Sequence, residues 1–113
     1  MPAARHPSIR IKAMRLTVPQ IRTVLDVVRQ EAGEAARVVL YGSRTDDTRR
    51  GGDIDLLIES QPPLGLWQRA KIKTLLENAL KIPVDIIAKS TEAEPTPFQA
   101  IALTTGYPLT PTP

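Results

Sequence analysis

The stretch Val38 to Glu59, VVLYGSRTDDTRRGGDIDLLIE, constrains this chain more than any other. Val38, Val39, Leu40 and Tyr41 form a short β-branched and aromatic run that stops at Gly42-Ser43. The loop from Arg44 to Gly52 holds seven charged or hydroxyl residues and two glycines, with nothing apolar to bury. Asp53-Ile54-Asp55-Leu56-Leu57-Ile58 then returns as a second strand. Alternate side chains of a strand share a face, so Asp53 and Asp55 point one way while Ile54, Leu56 and Ile58 point the other, into a core. Two adjacent like charges at the start of a buried strand repel each other, and each loses hydration. A divalent cation between them removes both penalties. The plainer alternative is a hairpin whose Asp residues face water.

Helices flank this unit. Thr17 is a suitable N-cap and Pro19 fits a first helical turn, so a helix is predicted to start near Thr17 or Val18. Ile21, Val24, Leu25 and Val28 recur at helical spacing, Arg22, Asp26, Arg29, Gln30 and Glu31 cover the other side, and Gly33 is a stop. Ser60-Gln61-Pro62-Pro63 breaks the second strand, and a helix is expected from about Leu64 to Leu80 with Ile72, Leu75, Leu76, Ala79 and Leu80 as its apolar stripe. Gln68, Arg69, Lys71, Lys73 and Glu77 are expected to be mostly solvated. Trp67 is read as a packing residue, with stacking on a nucleotide base as the alternative.

Lys81 to Ala88, KIPVDIIA, is predicted as a third core strand. Its one carboxylate, Asp85, must either pair with a cationic side chain or bind a cation. Lys89 to Pro97 is expected to be a linker, Phe98 to Thr105 a short helix with Phe98, Ile101 and Ala102 as its apolar set, and Gly106 its cap. The proline-bearing end from Tyr107 is expected to be extended or disordered. Residues 1–15 lack sustained periodicity and read as a flexible leader, although Ile9 and Ile11 would also fit a short edge strand. The domain expected to fold is therefore 16–109, with 110–113 as a disordered tail.

Composition narrows the function. A chain of 113 residues has room for one modest core. It has no cysteine, which excludes disulfides, thiolate metal sites and a cysteine nucleophile and fits a cytoplasmic setting. The single histidine, His6, lies in the leader. A net charge of +3, spread and interleaved with acids, does not point to nucleic acid, and no apolar run reaches the ~20 residues that span a bilayer.

Gly42-Ser43, a polar loop and Asp53-x-Asp55 on a strand together resemble the signature of the DNA polymerase β-like nucleotidyltransferases. The chain is most similar to their minimal nucleotidyltransferase (MNT) branch, whose members often pair with HEPN-type toxins. The loop Arg44 to Gly52 is one residue shorter than is usual there. The resemblance implies an α/β fold, a small mixed β-sheet with helices packed mainly on one face. It implies that Gly42, Ser43 and Arg44 hold a triphosphate, and that Asp53, Asp55 and Asp85 bind Mg2+ or Mn2+ and carry catalysis. The charges of the loop, Asp46, Asp47, Arg49 and Arg50, are read as solvated rather than as substrate contacts.

The implied reaction moves a nucleoside monophosphate, AMP from ATP or its equivalent from another nucleoside triphosphate, to an acceptor hydroxyl. A tyrosine of a HEPN-type toxin is a plausible acceptor by resemblance, which would make this chain an antitoxin. Two alternatives stand beside it: a non-catalytic antitoxin that neutralises a helical partner by contact, and a small-molecule, aminoglycoside-type nucleotidyltransferase whose partner supplies an acceptor domain. The sequence leaves homo-oligomerisation open and suggests no membrane partner.

Overall fold

The structure, a computed structural model, describes residues 16–42 and 53–110. The leader 1–15, Ser43, Arg44 and the loop through Gly52, and residues 111–113, lie outside the described residues. The elements run α1 (Val18–Ala32), β1 (Arg37–Tyr41), β2 (Ile54–Ser60), α2 (Leu66–Leu80), β3 (Val84–Ser90), α3 (Pro97–Thr105) and β4 (Tyr107–Leu109).

Helix α1 begins where its capping chemistry dictates. The Gln20 amide donates to the Thr17 hydroxyl at 3.2 Å, and the Thr17 amide donates to the Gln20 side chain at 2.8 Å, a reciprocal capping box. Gly33, at φ 94°, ends it, donating its N–H to the Arg29 carbonyl. Thr96, Pro97 and Gln99 repeat the same chemistry at the start of α3. For α2 the Gln68 side chain accepts from the Gly65 amide, and its own amide group donates to the Glu31 carbonyl of α1.

The four strands order as β3-β2-β1-β4. β1 pairs antiparallel with β2 and β4, while β2 and β3 are parallel, with α2 as the crossover between them. The central strand β2 is covered on both faces. Ile54, Leu56 and Ile58 join Val38, Leu40 and Val84 on the face packed by Ile21, Val24, Leu25 and Val28 of α1 and Ile72 and Leu76 of α2. Leu57 joins Val39 and Tyr41 on the opposite face, under Ala102 of α3. Among the described residues, two of the three helices thus lie on one side of a mixed sheet.

Five local expectations change. β3 starts at Val84, not Lys81, because Lys81 adopts a left-handed conformation (φ 61°) that closes α2. Lys89 belongs to the strand rather than a linker. It is 5% exposed, its ammonium pairing with Glu59 at 3.0 Å and donating to the Ser90 and Ala93 carbonyls at 2.8 Å. Trp67 is 87% exposed; on a helix it lies about 140° from Ile72 and 180° from Leu76, away from the buried stripe. Leu75 and Ala79 also face outward. Finally, Tyr107–Leu109 is a strand, registered against β1 as Leu40↔Tyr107 and Val38↔Leu109. Gly106 permits that turn, since a Cβ there would sit 2.6 Å from the carbonyl oxygens of both Leu40 and Ala102.

Candidate active site

Strand register assembles the site. Tyr41 stands opposite Asp55 across the antiparallel pair, and Asp55 stands opposite Asp85 across the parallel pair. All three side chains therefore share the sheet face that carries α3, in a row across β1, β2 and β3. Adjacent strands lie about 4.8 Å apart, which puts the carboxylates of Asp55 and Asp85 side by side. Asp53 precedes β2 by one residue, is exposed, and acts on the same neighbour.

The electrostatics report this crowding. The Asp55 carboxyl is pushed above the ordinary aspartate range, first by burial, then by the charges of Asp85 and Asp53. The Tyr41 phenol is pushed up to about 12, again by burial first and then by Asp55 and Asp85. Among the described residues, no three carboxylates are gathered closely enough to form a closed metal cluster as they stand. The donor set, all carboxylate oxygens with no nitrogen or sulfur, nonetheless fits a hard divalent cation. A cation would also relieve the repulsion that raises Asp55.

Asp85 is not the buried carboxylate that its apolar surroundings in sequence suggest. Its side chain is 60% exposed because β3 is the edge strand. The cationic neighbour is Lys73 of α2, whose ammonium lies 3.8 Å from Asp85 Oδ1 and 3.0 Å from Glu77 Oε2. Lys73 and Glu77 together close the free edge at Val84: Lys73 donates to the Val84 carbonyl, and the Val84 amide donates to Glu77 at 2.8 Å. Glu77 is held below the usual glutamate range, by the Val84 amide first and Lys73 second. Lys73 is held charged, chiefly by its hydrogen bond to Glu77. Nothing in the sequence marks Lys73 beyond its helical surface position.

Gly42 follows β1 directly and is required twice. Its φ of 80° disfavours any side chain, and a Cβ would lie 2.5 Å from Asp55 Oδ2. The strand end thus brings backbone right against the Asp55 carboxylate. Ser43 and Arg44, expected beside it, lie outside the described residues. Tyr41, read from sequence only as a strand former, packs edge-on against Phe98 of α3, ring centroids 5.7 Å apart at 82°. Between α3 and the end of β1 opens a cavity of about 400 Å3 that Asp55 and Gly42 help to line.

Three comparisons bear on this geometry. The family model described as nucleotidyltransferase domain matches residues 21–105. No curated protein matches the sequence. Among solved structures, a chain of tri-AMPylated Shewanella oneidensis HEPN toxin in complex with MNT antitoxin superposes with a TM-score of 0.64 at 20% identity, over 83% of this chain and 71% of that one. A chain of a toxin–antitoxin complex with AMP-PNP gives 0.64 at 23% identity, over 81% and 73%. A chain of the MntA-HepT toxin–antitoxin complex gives 0.62 at 19%, over 85% and 74%. These likenesses establish a shared fold. The family match runs from α1 to the end of α3 and takes in Gly42 and all three carboxylates, so the chain belongs to the nucleotidyltransferase domain family.

Proposed function

We propose that this chain is a metal-dependent nucleotidyltransferase that moves a nucleoside monophosphate, AMP from ATP in the first instance, to an acceptor hydroxyl. The observation that carries the reading is the facing pair Asp55 and Asp85 beside the side-chain-free backbone of Gly42, on a chain of this family. Asp53, Asp55 and Asp85 would hold Mg2+ or Mn2+. When bound, such an ion neutralises charge on the phosphate oxygens.

The protein's own groups divide the remaining work. Gly42, with Ser43 and Arg44 beyond it, receives the triphosphate. Asp85, exposed at the sheet edge, orients the acceptor hydroxyl and takes up its proton. The acceptor oxygen bonds to the α-phosphorus, the bond to the bridging oxygen breaks, and pyrophosphate leaves. Lys73 holds β3 and Asp85 in place from the side.

One solved structure of this fold holds a tri-AMPylated HEPN toxin with its MNT antitoxin, and the others are toxin–antitoxin complexes. We extend that pairing to this chain: its acceptor is a tyrosine hydroxyl on a small helical HEPN-type protein, and the chain acts as antitoxin in the cytoplasm. Among the described residues no helix is long and apolar enough to cross a membrane. The test is pyrophosphate release from ATP with Mg2+ in the presence and absence of that partner. Release that needs the partner and disappears in Asp53→Asn and Asp55→Asn is expected. Neutralisation of the partner without any release would instead support inhibition by contact.

A further inference from the structure

We propose that the cleft between α3 and the end of β1 is the seat of the nucleoside base, stacked on Phe98; this rests on the nucleotidyltransferase reading and locates its substrate. The cavity holds about 400 Å3 and is lined by Tyr41, Gly42, Asp55, Phe98, Ile101 and Thr105, within the size range of small-ligand pockets. It is continuous with the site because Gly42 and Asp55 belong to both. Its outer wall is apolar but unburied: Phe98 is 55% and Ile101 61% exposed, an unusual state for two large residues on one short helix. The edge contact with Tyr41 fixes the Phe98 ring while leaving over half of the side chain open.

Geometry selects the base over the acceptor as occupant. Displacement at phosphorus is in line, so the acceptor enters opposite the departing pyrophosphate. Pyrophosphate is held on the β1 side by the Gly42 turn, which leaves the β3 side, at Asp85, for the acceptor. The cleft lies on the β1 side under α3. A group that reaches it must already be attached to a ligand at Gly42, as a base is through its ribose. The Thr105 hydroxyl donates to the Ile101 carbonyl at 2.7 Å and keeps only its acceptor capacity for a base edge, whereas Phe98 offers an open ring face. The base is therefore held chiefly by its face.

The test is calorimetric binding of AMP-PNP and of inorganic tripolyphosphate, each with Mg2+, to the full chain. Wild type should bind AMP-PNP more tightly than tripolyphosphate. Phe98→Ala should weaken AMP-PNP about tenfold, the loss expected on removing an aromatic stacking partner, and leave tripolyphosphate unchanged. Phe98→Tyr should restore binding. Ile101→Ser, on the same wall and more exposed, should show the same split if Phe98→Ala folds poorly. Unchanged AMP-PNP affinity in Phe98→Ala and Ile101→Ser, or equal loss for both probes, would overturn the proposal. Wild type that binds tripolyphosphate but AMP-PNP no better would overturn it while leaving the nucleotidyltransferase reading intact. Wild type that binds neither probe would overturn that reading and the base site with it.

Discussion

Replacing Asp85 by Asn separates a catalytic carboxylate from a structural one, and the geometry sets the magnitude. The Asp85 side chain is 60% exposed, and its ion-pair partner, Lys73, is 44% exposed and also held by Glu77 and the Val84 carbonyl. Losing an exposed pair of this kind costs at most about 1 kcal/mol. Against that, the change removes a like charge directly opposite Asp55, a repulsion worth up to about 1 kcal/mol. The two nearly cancel, so metal-free Asp85→Asn should lie within about 1 kcal/mol of wild type, or within about 4–8 °C in Tm. Nucleotide transfer should nevertheless fall by orders of magnitude, because a ligand of the proposed metal site is gone. The same fold supplies a control in Glu59, 14% exposed and paired with the 5% exposed Lys89. Breaking a buried pair costs about 3–5 kcal/mol, and Glu59→Gln should lose the lower part of that range because Lys89 keeps two carbonyl partners. The assay is a chemical melt of the three metal-free proteins beside a transfer assay with the helical partner. An Asp85→Asn protein destabilised as much as Glu59→Gln, or one that transfers at the wild-type rate, would refute the reasoning.

Three further outcomes are expected. Mg2+ or Mn2+ at a hundredfold excess over its Kd should stabilise wild type by about 2.7 kcal/mol, since the ion binds only the folded site; Asp53→Asn and Asp55→Asn should largely lose that thermal shift. Gly42→Ala should cost about 1–3 kcal/mol through its positive φ and abolish tripolyphosphate binding, because the added methyl meets Asp55 Oδ2 at 2.5 Å; calorimetry and a melt read both. Glu77 titrates below its ordinary range when folded, so its contribution is fully present above that range and is lost as pH falls through the lowered value. Glu77→Gln should accordingly be less stable than wild type near neutrality, with the difference closing in acid, as melts across that range would record.

Local signals explain which parts of the fold were legible. Thr17, Pro19 and the spacing of Ile21, Val24, Leu25 and Val28 contain both the cap and the buried face of α1. The alternation through Ile54, Leu56 and Ile58 determines which way Asp55 points. β4 carries no such signal: three residues with Pro108 in the middle form a strand only because β1 has a free edge and Gly106 lets the chain reach it. Lys89 reads as the start of a polar linker, and its burial depends on Glu59, a partner that only the parallel register brings opposite. Asp85 fails in the reverse direction, since edge position, invisible in an apolar run, leaves it in water. The facing of Asp55 and Asp85 likewise follows from the length and docking of α2, so in the sequence it came only through family resemblance. Phe98 and Trp67 show the limit of residue type, because apolar side chains foreseen as core stand largely exposed.

The most direct test of nucleotidyl transfer is the intact mass of the proposed helical partner after incubation with this chain, ATP and Mg2+. The expected result is a partner heavier by one or more nucleoside monophosphates, on a hydroxyl side chain, with no gain when Asp55→Asn replaces the wild type. An unmodified partner that is nonetheless neutralised, or one modified equally by Asp55→Asn, would contradict it.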